Sequence, residues 1–312
     1  MEYLDYQLQW PKDNLFIRCF VHEPIYYRYH WHPDLYELNI LLRGSQDFCP
    51  GTNILSADDV LLIEPGTGHA SFGQLPGTTA LVLQFNAAAF KPFVKKGCRL
   101  HFSNCHSRED TRNQEEYRLI RFYAAHVLDA ARTPGPYSQL RAKAAMEMLL
   151  VTLCTRFLPE QVETISEQDE QQQKVIHRLT EYMEKNYAQK LTLEDLAHVA
   201  QYNRTYISTL FKNTVGINFY DYLTRIRFEH ALTDLATTGN TLTQIALSNG
   251  FSDLKSFNKY FRSILDRTPA QYRSQLGPEP VRQRQDNRVF IPKDDPIILA
   301  ILRKYMEFPS FS

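Results

Sequence analysis

One pattern is written twice in this chain. The first copy runs Thr192-Leu-Glu-Asp-Leu-Ala197, then Asn203, Leu210-Phe211-Lys212, Gly216 and Tyr222. The second runs Thr241-Leu-Thr-Gln-Ile-Ala246, then Asp253, Tyr260-Phe261-Arg262, Asp266 and Tyr272. From Asn203 and Asp253 onward the offset is a constant 50 residues. In the second copy, Thr241 followed by Gln244 makes a capping box that starts a helix. Leu242, Ile245 and Ala246 supply its apolar face, and Asn249-Gly250 ends it. Phe251 fills the angle, and Asp253 caps a second helix over 254–265. Phe257, Tyr260 and Phe261 belong inside, while Lys255, Asn258, Lys259 and Arg262 belong outside. In the first copy Thr192 caps 193–200, with Leu196, Ala197 and Val199 inward. Asn203 then caps 204–213, with Ile207, Leu210 and Phe211 inward and Thr205, Ser208, Thr209 and Lys212 outward. Between the copies, 219–235 reads as one longer helix with Tyr222-Leu223, Ile226 and Ala231-Leu232 as its buried stripe.

A helix with a short polar outer face fits the major groove of a duplex. The helix before it crosses the backbone, where its N-terminal amides can hold a phosphate. Two such units on a rigid spacer would read segments about one helical turn, roughly 34 Å, apart. Paired helices in an all-α domain explain a single copy better; two copies with polar outer faces favour double-stranded DNA. Charge points the same way. Residues 1–173 carry 16 Lys+Arg against 21 Asp+Glu, whereas residues 174–276 carry 13 against 9. The basic excess lies on the repeated segment, where a polyanion would need it.

Residues 174–276 resemble the DNA-binding domain of the AraC/XylS family of bacterial transcription regulators. The resemblance rests on Ile245-Ala246, Gly250-Phe251, Phe257, Phe261-Arg262 and the group Thr268-Pro269-Ala-Gln-Tyr272-Arg273. Members of that family often carry Gly where Asp266 stands, which puts one local turn in doubt. The resemblance implies base-reading positions at Thr205, Ser208 and Thr209, joined by Arg204 and Lys212. In the second unit it implies Lys255, Ser256, Asn258 and Lys259, with Arg262. The second unit is expected to hold more of the charge-assisted contacts.

The front of the chain has a different pattern. Within 15–85, short apolar runs (Leu38–Leu42, Val60–Ile63, Ala80–Phe85) alternate with turn signals at Arg43-Gly-Ser45, Pro50-Gly51, Pro65-Gly-Thr-Gly68 and Pro76-Gly77. That spacing predicts a β-sandwich or barrel. The segment His30-Trp-His32-Pro-Asp-Leu-Tyr-Glu37 followed by Gly44 resembles the first motif of cupin barrels. Asp59-Val-Leu-Leu-Ile-Glu-Pro65-Gly-Thr-Gly-His69 resembles the second, one residue short between Pro and His. Sensor domains of the regulator family commonly look like such barrels. His30 and His32, two apart on an expected strand, face one way, and Glu37 and His69 can converge on them. Such a set could hold a divalent transition metal. The reading preferred for the front half is a pocket for a small effector, formed by His30, His32, Tyr36, Glu37 and His69, with no metal or other cofactor. Tyr26, Tyr27, Tyr29, Trp31 and Tyr36 cluster nearby, and such faces suit a sugar among other ligands.

Two helices follow, over 113–132 and 137–158, broken by Pro134-Gly-Pro136. Tyr117, Ile120, Ala124 and Val127-Leu128 form one stripe, and Leu140, Ala144, Met148 and Val151 another. Each stripe needs a cover, either the β domain or a second copy of the chain. The organisation expected is α+β: a cupin-like β-barrel with a helical hairpin over 1–158, a solvated linker over 159–173, a double helix-turn-helix domain over 174–276, and a tail over 277–312. In the tail, 277–292 reads as loop and 295–306 as a helix with Pro296 in its first turn.

The five cysteines are scattered, with no C-x-x-C pair, and read as reduced thiols. Cys98, His101, Cys105 and His106 lack the second ligand pair that would support a zinc site. The N-terminus has no basic-then-apolar leader, and no apolar run is long enough to span a bilayer. The expectation is a cytoplasmic regulator, not an enzyme. Its partners would be double-stranded DNA, a small-molecule effector, a second copy in a homodimer, and RNA polymerase if it activates; no membrane is involved. The competing reading is a metal-dependent cupin enzyme with a helical protein-interaction module.

Overall fold

The computed structural model describes residues 2–24, 26–49, 53–73, 77–103, 105–163, 167–265, 267–275, 284–285 and 288–307. The expected turns at Pro50-Gly51 and Pro76, the family departure at Asp266, and 277–283 and 286–287 of the expected loop lie outside them. The front half contains β1 (Asp5–Trp10), β2 (Leu15–Pro24), β3 (Tyr26–His30), β4 (Leu35–Arg43), β5 (Ser45–Cys49), β6 (Asn53–Ser56), β7 (Val60–Ile63), β8 (His69–Gly73), β9 (Thr79–Asn86) and β10 (Cys98–His101). Then come α1 (Glu115–Arg132), α2 (Ser138–Arg156) and β11 (Glu160–Glu163). The helical part is α3 (Glu167–Asn186), α4 (Leu193–Ala200), α5 (Arg204–Val215), α6 (Phe219–Thr237), α7 (Leu242–Ser248), α8 (Leu254–Leu265) and α9 (Pro269–Gln275). The chain closes with β12 (Arg284–Gln285), β13 (Arg288–Phe290) and α10 (Pro296–Met306).

The strands form two main antiparallel sheets. A seven-stranded sheet is ordered β12-β13-β2-β9-β4-β7, with β1 also on β2, and a four-stranded sheet is ordered β3-β8-β5-β6. Among the described residues no ladder joins the two sheets, so the expected closed barrel is instead a double sheet. Strand alternation explains the layering. On β4, Tyr36, Leu38, Ile40 and Leu42 bury in a core shared with α1, α2 and α10, whereas Leu41 buries with Phe48 and Leu55 of the smaller sheet. The four-stranded sheet has a second buried face as well. Tyr29, Cys49, Ala70 and Phe72 share a core with residues of α3 to α6. The order through the molecule is helices, large sheet, small sheet, helical domain.

Two expectations for the connecting segments change. Part of the expected linker is ordered: β11 pairs with β10, and α3 begins at Glu167. Its Glu and Gln are good helix formers, so low apolar content did not make it coil. The tail contains strands where a loop was expected. β13 pairs with β2, aligning Phe290 with His22. The helix α10 follows with Asp295 as N-cap, accepting from the amides of Ile297 and Ile298. It buries Ile298, Leu302 and Tyr305 in the core of the front domain. The chain thus leaves that domain, builds the helical domain, and returns.

Candidate functional site

Each repeat folds as its residues dictate. Thr192 and Asp195 form a reciprocal capping box on α4, and Thr241 and Gln244 form one on α7. Asn203 accepts the Tyr206 amide at 2.8 Å, and Asp253 accepts the Ser256 amide at 2.7 Å, so each second helix is also capped. Gly250 turns at φ +81°, and a Cβ there would lie 2.7 Å from the Tyr187 carbonyl oxygen. Only glycine fits that bend. Ile207, Leu210 and Phe211 are buried on α5, and Phe257, Phe261 and Leu265 on α8. Tyr260 and Val199, expected inside, are only partly buried at the edges of their cores.

The outer faces are open. Arg204, Thr205, Ser208, Thr209 and Lys212 are all exposed on α5. On α8, Lys255, Lys259 and Arg262 are exposed, and Ser256 and Asn258 are half-buried. Ser256 is tied to Asp253 through both its amide and its hydroxyl, so it serves the cap as well as the face. Between the units, α6 buries Tyr222, Leu223, Ile226, Ala231 and Leu232, which fixes it as the spacer.

A second site lies between the sheets. His30 comes from the end of β3, His69 from β8, His32 from the turn before β4, and Glu37 from β4. His30 and His32 therefore converge through the turn and not through a shared strand face, as their spacing had suggested. Donor atoms of His30, His32 and Glu37 all lie within 4.8 Å of one another. Glu37 sits 3.3 Å from His32 Nε2 and 3.4 Å from His69 Nε2. It also accepts from Gln84 Nε2 at 2.7 Å and Asn39 Nδ2 at 3.1 Å. Burial works to raise the Glu37 pKa, but hydrogen bonds from His32 and His69 and the nearby imidazole charges outweigh it and hold the carboxyl well below its ordinary range. Thr67 oxygen lies 3.2 Å from His69 Nδ1, which orients that ring.

Tyr36 does not join this cluster. It is one residue from Glu37 on β4 and so faces the opposite way, stacking on Phe85 and donating to the Leu100 carbonyl at 3.0 Å. Of the expected aromatic cluster, Trp31 and Tyr36 line one cleft with His30. Tyr27 lies 4.2 Å from His30 between ring centroids, but Tyr29 faces the helical domain and Trp31 packs edge-on against His177 of α3. The side chain of Tyr26 lies outside the described residues. His30 lines a cleft of about 920 Å³ that reaches α3 through Gln173, Lys174 and His177. His69 lines a second cleft of about 280 Å³. The α3 residues of the larger cleft were missed by sequence reasoning, because Gln173 read as linker and Lys174 and His177 as part of the DNA-binding domain. Cys98, His101, Cys105 and His106 form no donor group with one another among the described residues. His101 instead pairs with Glu64 at 3.0 Å.

The fold and the exposed reading faces define a double helix-turn-helix protein. A profile described as a helix-turn-helix domain matches residues 196–275. An uncharacterized HTH-type transcriptional regulator of Staphylococcus aureus is 30% identical over 132 residues, covering 42% of this chain and 17% of that protein. The HTH-type regulator YijO of Escherichia coli is 32% identical over 140 residues, covering 45% of this chain and 48% of the relative. The chain thus spans less than half the length of either. A transcriptional regulator structure from Chromobacterium violaceum with an AraC-type DNA-binding domain is 26% identical. It covers 36% of this chain and 99% of its own, at a TM-score of 0.33, too low to add weight. Residues 196–275 of this chain are a helix-turn-helix domain. No described helix is long and apolar enough to cross a membrane.

Proposed function

We propose that the chain is a sequence-specific regulator of transcription that binds double-stranded DNA through α5 and α8 and takes a small effector in its double-sheet domain. The observation that carries this reading is the pair of capped helix-turn-helix units with open, cation-bearing outer faces on one buried spacer helix. Selecting bound duplexes from a genomic pool tests it, followed by gel shifts at several salt concentrations. A selected duplex whose binding weakens steeply with salt supports the reading. The effector site is the cluster of His30, His32, Glu37 and His69, where imidazole donors and a carboxylate suit a small polar molecule. Trp31 and Tyr36 line the cleft beside His30, and such faces suit a sugar among other ligands.

A dimer belongs to the same reading. The α2 stripe of Leu140, Met148 and Val151 is exposed (65%, 45% and 50%), with Tyr137 and Leu158 extending it. The opposite face of α2 buries Ala142, Met146, Leu149 and Leu153. A second copy of the chain would cover this stripe.

A divalent transition metal is a second reading of the effector site, favoured by the 4.8 Å convergence of the His30, His32 and Glu37 donor atoms. His30, His32, Glu37 and His69 would hold it, and it would supply a Lewis-acidic anchor for an effector oxygen. Metal analysis of the purified protein decides between the two. Stoichiometric metal with turnover and no duplex affinity would reverse the assignment to an enzyme with a helical interaction module.

A further inference from the structure

The two helix-turn-helix units match position for position at an offset of 50, but the matched positions carry different chemistry. On α8 the outer face holds Lys255, Asn258, Lys259 and Arg262; the matched α5 positions hold Thr205, Ser208, Thr209 and Lys212. An ammonium pairs with guanine O6 and N7, and a carboxamide with adenine N6 and N7, so the α8 set can tell bases apart. Serine and threonine hydroxyls pair with several base edges, so the α5 set discriminates little.

The flanks of the two helices differ as well. In the second unit, the Ser252 and Ser256 hydroxyl oxygens lie 2.8 Å apart, and both are within hydrogen-bond reach of the Asp253 carboxylate. That flank is closed on itself. In the first unit the same two positions are Tyr202 and Tyr206, with ring centroids 4.8 Å apart. Both side chains are exposed, at 44% and 37%, and neither hydroxyl has a hydrogen-bond partner among the described residues. Tyr206 borders the face of Thr205 and Thr209, three positions from the latter on α5. In the first turn of α4, Glu194 and Asp195 set two carboxylates where the leading helix of that unit would meet a phosphate, which works against an anion there.

We propose that the two units divide the work: α8 reads base identity, while Tyr202 and Tyr206 donate their hydroxyls to phosphates of the duplex and hold the first unit there without reading sequence. The preferred duplex is then asymmetric, with a sharply specified element under α8 and a permissive one under α5, about one helical turn (roughly 34 Å) away. This rests on the chain being a DNA-binding regulator that uses α5 and α8. Tyrosine hydroxyls are among the groups that position a protein on phosphates. A neutral donor displaces no counterion, so its loss lowers affinity by the same factor at every salt concentration.

The test uses the full chain and three variants. Tyr202→Phe with Tyr206→Phe keeps both rings. Thr205→Ala with Ser208→Ala and Thr209→Ala keeps an exposed helix face of good helix formers. The third is Asn258→Ala. Bound duplexes are selected from a randomised pool, and affinities for the selected duplex and a scrambled one are measured at several salt concentrations. The unaltered chain should select one sharp and one loose element. The tyrosine double variant should lose about tenfold in affinity for both duplexes, as expected for hydrogen bonds to charged groups, with salt slope and selected sequence unchanged. Asn258→Ala should lose about tenfold on the selected duplex alone and flatten one position of the sharp element. The triple variant should select the same sequence as the unaltered chain. The division is overturned by two equally sharp elements, by a tyrosine double variant that binds as the unaltered chain does or selects a different sequence, by a triple variant that selects a different sequence, or by an Asn258→Ala chain that loses affinity equally on both duplexes. If the unaltered chain selects no duplex, the regulator reading itself falls; two sharp elements leave that reading standing and remove the division alone.

Discussion

Phe257 and Lys259 lie two positions apart on α8 and face opposite ways. Phe257 is fully buried against Phe251 and Phe261, so Phe257→Ala should cost about 3–5 kcal/mol. Lys259 is exposed. Lys259→Ala should leave the thermal melt within about 0.5 kcal/mol while weakening duplex binding by about 1–3 kcal/mol if it reads a base. If it meets a phosphate, the loss should instead be uniform across sequences, with the salt slope reduced by about one. Thermal melts and gel shifts on the two variants check both; the reverse pattern would invert the helix. Sequence made this assignment readable because α8 has a single apolar face, set by Phe257, Phe261 and Leu265. Tyr36 and Glu37 face opposite ways on β4, yet Tyr36 lines the same cleft as His30.

At the scale of elements, caps decided what could be read. Thr241→Ala removes one side of the α7 capping box and should destabilise the helical domain by about 1 kcal/mol, measured by denaturant unfolding. The boundaries 193–200 and 254–265 were legible from Thr192, Asn203, Thr241 and Asp253, because an N-cap is a local signal. The helix α2 shows the opposite case. It has two apolar stripes, and periodicity does not say which one the core takes. The core takes Ala142, Met146, Leu149 and Leu153, leaving Leu140 and Val151 outside. The double variant Leu140→Lys, Val151→Lys should therefore keep its melting temperature and convert a dimer to a monomer in sedimentation equilibrium. A monomeric unaltered chain at the same concentration would contradict that interface.

The whole molecule is organised by sheets that each carry two functions. One side of the large sheet is closed by α1, α2 and the returning α10, and the small sheet stands between the histidine site and the helical domain. The return of the tail was not legible, because its partners are far away in sequence: Phe290 aligns with His22, and Tyr305 donates to Asp58. Leu302→Ala, beyond the helical domain in sequence, should destabilise the front domain by about 2–5 kcal/mol, seen as loss of protection of the β2 and β9 amides in hydrogen exchange. The two-domain plan and the reading faces could be derived from the repeat. The double sheet in place of a barrel could not, since strand pairing is set by contacts between distant residues. The central claim is that α5 and α8 together grip a duplex. Its most direct test is the salt dependence of binding by the full chain to a duplex selected from genomic DNA. We expect a discrete complex whose affinity falls linearly in log–log form as salt rises, and falls further when Lys255 and Lys259 are both replaced by alanine. Binding indifferent to salt and to both lysines, or no duplex recovered at all, would contradict it.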